Sequence, residues 1–116
     1  AHLGDLEEKK GDAQGAARSF QRGLAVDKKG GDPRSAASDW FNYGQFLRRH
    51  KLPAELAYAC FLEAERLLAD ASGDEFQTVQ AARREVESEL GKKADVARKD
   101  APQLLARAAN LPATSF

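Results

Sequence analysis

The sequence predicts an all-α fold built from antiparallel helix pairs. Apolar residues recur three or four positions apart over most of the chain, which is the spacing of one face of a helix. Glycine and proline interrupt this spacing at points where helices of ordinary length would end. Two stretches also share one layout of small and large residues, which indicates that one helix-pair unit occurs twice.

The shared layout places a glycine in one helix, an alanine in the next, and a phenylalanine one turn after the alanine. Small residues let two helices cross closely, and large residues fill the space beside the crossing. The residues are Leu3, Gly4, Gly11, Ala16, Phe20 and Gly23 in the first stretch, and Trp40, Tyr43, Gly44, Leu47, Ala57 and Phe61 in the second. They resemble the tetratricopeptide repeat, whose pattern is W-x-x-L-G-x-x-Y followed by A-x-x-x-F. The resemblance covers residues 1–70 and implies a right-handed solenoid of helix pairs.

The predicted helices follow from their start and stop signals. In chain order they cover residues 1–10, residues 13–26, a segment opened by Asp32-Pro33, a segment from Pro53 to about residue 69, residues 75–90, and a segment that starts at residues 100–102. Gly30-Gly31 permits the left-handed geometry that ends a helix. Asp32 can accept from free N–H groups, and the fixed φ of Pro33 suits a first helical position. Asp74 and Gln77 have the spacing of a capping box.

The chain divides into three predicted parts. Residues 1–70 form two helix pairs, residues 71–111 form a degenerate third pair that ends in a capping helix, and residues 112–116 form a flexible tail. A capping helix is expected because the last pair of a solenoid exposes an apolar face that needs a cover. Pro112 ends the cap, since the residue before a proline is pushed out of the helical region.

Composition excludes several classes of protein. The 116 residues include 18 basic and 18 acidic ones, so no net charge draws nucleic acid or an anionic membrane. One cysteine allows no internal disulfide, and no apolar run is long enough to cross a membrane. The domain is expected to be soluble, with the compartment left open. Because the first helix begins only three residues before Gly4, we expect a fragment or processed form of a longer protein.

The sequence offers no recognisable reaction centre. The two histidines, His2 and His50, have no second ligand at metal-binding spacing. Gly30-Gly31 has neither a preceding strand nor the following lysine of a phosphate loop. The carboxylates alternate around charged helices, as solvated faces do. The prediction is a non-catalytic protein with no cofactor and no metal.

The resemblance implies that the first helix of each pair lines a concave groove. The candidate groove residues are Asp5, Lys9, Phe41, Asn42, Gln45, Arg49 and Arg84. Lys9 and Arg49 each follow their glycine by five residues, and Arg84 falls near the same row at the usual repeat spacing of about 34 residues. A basic stripe of this kind would suit an acidic peptide or a terminal carboxylate.

The predicted function is therefore a protein-interaction module that binds a peptide or a partner helix in the groove. One alternative is a substrate-positioning or regulatory domain of a larger enzyme, and another is a domain that self-associates through its amino-terminal end. Nucleic acid is a less favoured partner, because Phe46 is the only aromatic residue beside the basic run at residues 48–51.

Overall fold

The computed structural model describes residues 12–30, 32–69 and 73–112. In these ranges the chain forms six α-helices and no strand, which confirms the all-α prediction. The helices are α1 (Asp12–Lys28), α2 (Pro33–Arg49), α3 (Ala54–Leu67), α4 (Asp74–Leu90), α5 (Lys93–Lys99) and α6 (Ala101–Ala109). The predicted first helix at residues 1–10 and residues 113–116 of the predicted tail lie outside the described residues.

Most helix boundaries lie where the local signals predicted them. The Asp32 side chain accepts a hydrogen bond from the Arg34 backbone N–H at 3.3 Å, and Pro33 occupies the first position of α2. Gly30 follows α1 with φ of 116°, and Gly91 follows α4 with φ of 57°. Both glycines adopt positive φ, which side chains with a Cβ disfavour.

The predicted capping box is wrong. Gly73 is the N-cap of α4, and no side chain caps this end. Asp74 is already the first residue of the helix, so its carboxylate is not placed to accept from the free N–H groups one turn later. The Gly73 carbonyl instead accepts from the Gln77 N–H at 3.4 Å. Capping requires the side chain to stand just before the first helical residue.

The centre of the core is α3. Its residues Tyr58, Ala59, Cys60 and Phe61 are all fully buried. The helix packs against α2, α4 and α6, and to a smaller extent against α5. A short helix buried on several sides explains why apolar residues occur almost all round it.

Gly44 marks the closest approach of α2 to α3. A Cβ at Gly44 would lie 2.7 Å from Phe61 Cε1 and 3.2 Å from Cys60 Cβ. Normal contact between carbon atoms begins at about 3.5 Å, so this crossing requires glycine. Ala57 is also buried, at 1% exposure. The prediction of small residues at this crossing is confirmed.

Helices α2, α3 and α4 run up, down and up. Ala37 near the start of α2 clusters with Ala64 and Leu68 at the end of α3, and Gly44 farther along α2 lies beside Phe61 in the middle of α3, so the two helices are antiparallel. The N-terminal turns of α2 and α4 line one groove, and Arg48 near the end of α2 pairs with Glu89 near the end of α4. Helices α2 and α4 therefore lie side by side and parallel, with α3 packed behind both.

The position of α6 differs from a simple continuation of the stack. Its main neighbour is α3, and it also reaches α1 and α2. The Tyr43 hydroxyl of α2 donates to the Ala108 carbonyl, and the Gln21 side chain of α1 donates to the Leu111 carbonyl at 2.9 Å. The chain end thus returns to its described beginning, whereas repeats of a solenoid contact only their neighbours.

The segment between the predicted helix at residues 75–90 and the predicted helix start at residues 100–102 was assigned no helix, but Lys93–Lys99 forms α5. Ala94 and Ala97 are buried against the core. Two small residues three positions apart are enough to dock a short helix when the rest of its surface is charged. In the described ranges, no helix has the length and apolar character needed to cross a membrane.

Candidate partner-binding groove

A groove of about 420 Å³ lies between the N-terminal halves of α2 and α4. Its floor is apolar and is formed by Ala37 and Phe41 of α2, Leu68 after α3, and Val79 of α4. Ala37, Leu68 and Val79 are almost fully buried, and Phe41 is half-buried with its ring 5.5 Å from that of Phe61. Because Phe41 is supported from behind, it presents a fixed apolar surface to the groove.

The rim of the groove is polar and exposed. The α2 side carries Arg34, Ser35 and Ser38, preceded by Asp32, and the α4 side carries Asp74, Glu75 and Thr78. The Thr78 hydroxyl donates to the Asp74 carbonyl at 2.8 Å, which fixes its position. Neither Asp74 nor Glu75 has an ion pair within the described part of the chain. An apolar floor between polar walls is the usual anatomy of a site for a protein segment.

Arg48 closes the far end of the face that α2 and α4 share. Its guanidinium lies 2.8 Å from Glu89 and 3.6 Å from Glu85, both on α4. The Arg48 side chain is 24% exposed, whereas the two glutamates are at least half exposed. This ion pair links the two helices. One glutamate neutralises the charge of Arg48, and the second glutamate leaves one negative charge in excess.

The predicted groove residues have different positions in the structure. Phe41 lines the groove, Asn42 and Arg49 are exposed on α2, and Gln45 is half-buried. Arg84 is exposed one residue before Glu85, about 100° around α4 from it. Near the C-terminal ends of α2 and α4, the α4 side chains that reach Arg48 of α2 are the acidic Glu85 and Glu89. Asp5 and Lys9 lie outside the described residues, so the basic stripe stays a prediction.

Several groove residues were not predicted from the sequence. Ser38 is one turn before Asn42 and could have been found by extending the same face toward the start of α2. Asp74, Glu75 and Thr78 could not be assigned in this way, because α4 has no glycine that aligns it with α2. The shift of α4 along its axis relative to α2 depends on the tertiary packing of Val79 with Ala37, Ala64 and Leu68.

A second cavity, of about 590 Å³, lies on the other side of α2. Helices α1, α2, α3 and α6 all line it, and its apolar surface includes Leu24, Trp40, Leu67 and Leu105. Trp40 therefore faces away from the groove, toward α6. Helix α6, which contacts α1, forms one wall of this cavity.

Two carboxyl groups meet beside the second cavity. Burial and the neighbouring Asp27 carboxyl raise the pKa of Asp39 to about 6. A hydrogen bond with Asp27 contributes to the raised pKa of Asp39, and one Asp27 oxygen is buried without a hydrogen-bond partner. A paired acid is also a feature of some catalytic sites, but here no nucleophile or histidine lines the cavity beside it.

A charged network fixes α4 and α5 on α3. The Glu87 carboxylate accepts from the Tyr58 hydroxyl at 2.7 Å, from Arg98 at 2.8 Å and from Arg83 at 3.0 Å. Arg83 also donates to Glu65 at 2.9 Å. The hydrogen bond from Tyr58 lowers the pKa of Glu87 most, and the hydrogen bond from Arg83 and the positive charges of Arg83 and Arg98 lower it further. Because each member already has partners within the network, its role is structural.

The described residues contain no group of histidine, cysteine and carboxylate side chains that could hold a metal ion. Cys60 is fully buried, and burial raises the pKa of its thiol well above the ordinary value. A protonated thiol without access to solvent is a weak nucleophile. Cys60 is therefore a small apolar residue of the core.

Comparison of the chain with protein-family models, with curated proteins and with solved structures finds no match. The tetratricopeptide resemblance therefore rests on the residues that carry it.

Proposed function

We propose that this chain is a non-catalytic protein-interaction module of tetratricopeptide-like helix pairs, which binds a segment of a partner protein between α2 and α4. The observation that carries the proposal is the groove with an apolar floor at Phe41, Leu68 and Val79 and with polar rims on two parallel helices. Such a surface can bury one or two apolar side chains of a ligand and hydrogen-bond to the chain that bears them.

The supporting geometry is that the groove is already formed. Phe41 is held by Phe61, and Arg48 holds α2 to α4 at the far end. A surface that needs no rearrangement loses less entropy when it binds a ligand. The volume of about 420 Å³ suits part of a peptide or one face of a helix, since even drug-sized ligands occupy roughly 300–1,000 Å³.

The test is selection of peptides from a random displayed library on the purified chain, followed by binding titrations of the selected peptides. Thr78→Trp should abolish their binding, because an indole at Thr78 would fill the groove between α2 and α4. Gln103→Trp is the matched control, since Gln103 is exposed on α6 and lines neither cavity. Circular dichroism and thermal unfolding should show that both variants fold as the parent does.

Selected peptides that bind the parent and the Gln103→Trp variant but not the Thr78→Trp variant would support the proposal. Peptides that bind all three proteins equally would place recognition on another surface. Failure to select any peptide would also contradict the proposal, because a preformed apolar groove should capture sequences that fit its floor.

A further inference from the structure

We infer that the ligand of this groove is a basic amphipathic segment of a partner protein, in which apolar side chains are flanked by lysine or arginine. The inference rests on the proposed function and specifies the chemistry of the partner. The inferred charge of the ligand is opposite to the one expected from the sequence, because the predicted basic stripe would suit an acidic ligand.

The charge of the groove itself favours a basic ligand. Its rim carries three carboxylates, on Asp32, Asp74 and Glu75, and one guanidinium, on Arg34. Asp32 accepts from the Arg34 backbone N–H, so its position at the end of α2 is fixed by capping. The carboxylates of Asp74 and Glu75 are exposed and have no ion-pair partner among the described residues. A cation bound at the rim would supply that partner.

The rest of the face shared by α2 and α4 does not reverse the negative charge of the rim. Arg48 is paired with both Glu85 and Glu89, which leaves one carboxylate in excess there. Arg49 adds one exposed cation on α2, and Arg84 is exposed about 100° around α4 from Glu85. Over the whole face, acidic side chains outnumber basic ones.

The helix dipoles also contribute to the charge of the rim, because the groove lies at the N-terminal ends of α2 and α4. Each end carries the equivalent of about +0.5 elementary charge, and charged residues in the first turn act against it. The three negative charges of Asp32, Asp74 and Glu75 exceed the combined positive charge of the two dipole ends and Arg34. The rim therefore remains negative, though less so than the side chains alone suggest.

The negative rim lies beside an apolar floor, and the ligand must match both. A purely basic ligand would leave Phe41, Leu68 and Val79 exposed to water, and a purely apolar ligand would leave the carboxylates without partners. A segment with apolar residues on one side and basic residues beside them satisfies both. Nucleic acid fails on both counts, because its phosphates would be repelled and it offers no aliphatic surface.

The experiment uses three labelled synthetic peptides of the length of α2, titrated against the whole chain by fluorescence anisotropy. The first has leucines at helical spacing and lysines elsewhere, the second replaces each lysine by glutamate, and the third keeps the lysines but replaces each leucine by serine. We expect the leucine–lysine peptide to bind at least about tenfold more tightly than either of the others. Added salt should weaken its binding, because exposed charge pairs are screened.

Substitutions in the protein then locate the interaction. Asp74→Asn/Glu75→Gln should weaken binding of the leucine–lysine peptide by about threefold to tenfold, since each exposed pair contributes roughly 0.2–1 kcal/mol. Asp95→Asn/Asp100→Asn removes the same charge from exposed positions on and after α5, which line neither cavity. Binding to this control variant should match binding to the parent.

The outcomes separate this inference from the proposed function. If the leucine–glutamate peptide binds equally or better and Thr78→Trp blocks it, the groove is a binding site but the inferred charge of the ligand is wrong. If the leucine–lysine peptide binds Thr78→Trp as well as the parent, the groove is not the site and both proposals fail. Equal losses in the two charge variants would indicate nonspecific attraction, and absence of binding by all three peptides would also overturn the inference.

Discussion

The sharpest structural prediction concerns Gly44, at the crossing of α2 and α3. A Cβ added there would lie 2.7 Å from Phe61 Cε1, 3.1 Å from Phe61 Cδ1 and 3.2 Å from Cys60 Cβ. The Phe61 ring cannot turn away easily, because it is fully buried and is in contact with the ring of Phe41. Gly44→Ala must therefore separate the two helices or distort the side chains between them.

The expected cost is the difference between two opposing effects. Overpacking a close contact costs about 1–3 kcal/mol, and contacts with two neighbours place Gly44→Ala toward the upper end of that range. Replacing glycine by alanine inside a helix stabilises the helix by about 1 kcal/mol. We expect the free energy of unfolding to fall by about 1–2 kcal/mol, which lowers the midpoint of thermal unfolding by roughly 4–8 °C for a chain of this length.

The measurement is urea and thermal unfolding followed by far-ultraviolet circular dichroism. Gly15→Ala is the matched control, because Gly15 lies inside α1 and a Cβ there meets nothing within 4 Å. That variant should be more stable than the parent by up to about 1 kcal/mol. The Gly44→Ala/Phe61→Leu double variant should be less unstable than the two single effects predict, because the smaller side chain gives the added methyl group room. If Gly44→Ala stabilises the chain as Gly15→Ala does, the close helix crossing described here is incorrect.

Two other predictions concern contacts that join distant parts of the chain. The pKa of Asp39 is raised to about 6 in the folded state, against an ordinary value of about 3.9, so the folded chain holds a proton that the unfolded chain releases. This contribution to stability is present below pH 4 and is lost as the pH rises through 6. Asp39→Asn should therefore be more stable than the parent at pH 7 by about 1–2 kcal/mol, allowing for partial exposure, and should show a weaker pH dependence in urea titrations. Parallel pH profiles for the two proteins would contradict the pairing of Asp39 with Asp27. Tyr43→Phe removes the buried hydroxyl that donates to the Ala108 carbonyl, which should cost about 1–2 kcal/mol. Amide hydrogen exchange in α6 should become faster in that variant, and unchanged protection there would show that the bond does not hold α6 in place.

The candidate groove was predicted only in part. Phe41 was expected to face a partner because the repeat pattern places it on the open side of its helix, and it does line the groove. The opposite wall was not foreseen, because α4 departs from the pattern and gives no fixed point for alignment. A helix turns about 100° per residue, so aligning α4 with α2 one residue differently exchanges Arg84 for Glu85 in the predicted row. Such a shift reverses the charge that a ligand would meet.

The sequence by itself determined the helical state of the described chain, most of its helix boundaries and the apolar face of each long helix. These properties are local, because they depend on the backbone freedom of glycine and proline and on apolar spacing within one helix. Tertiary structure decided that α6 returns to α1, that Asp27 meets Asp39, and that Arg48 joins α2 to carboxylates of α4. Each depends on how one helix is rotated and shifted against another. Periodicity along a single helix does not fix that rotation, which is set by the shapes of the side chains packed between the helices.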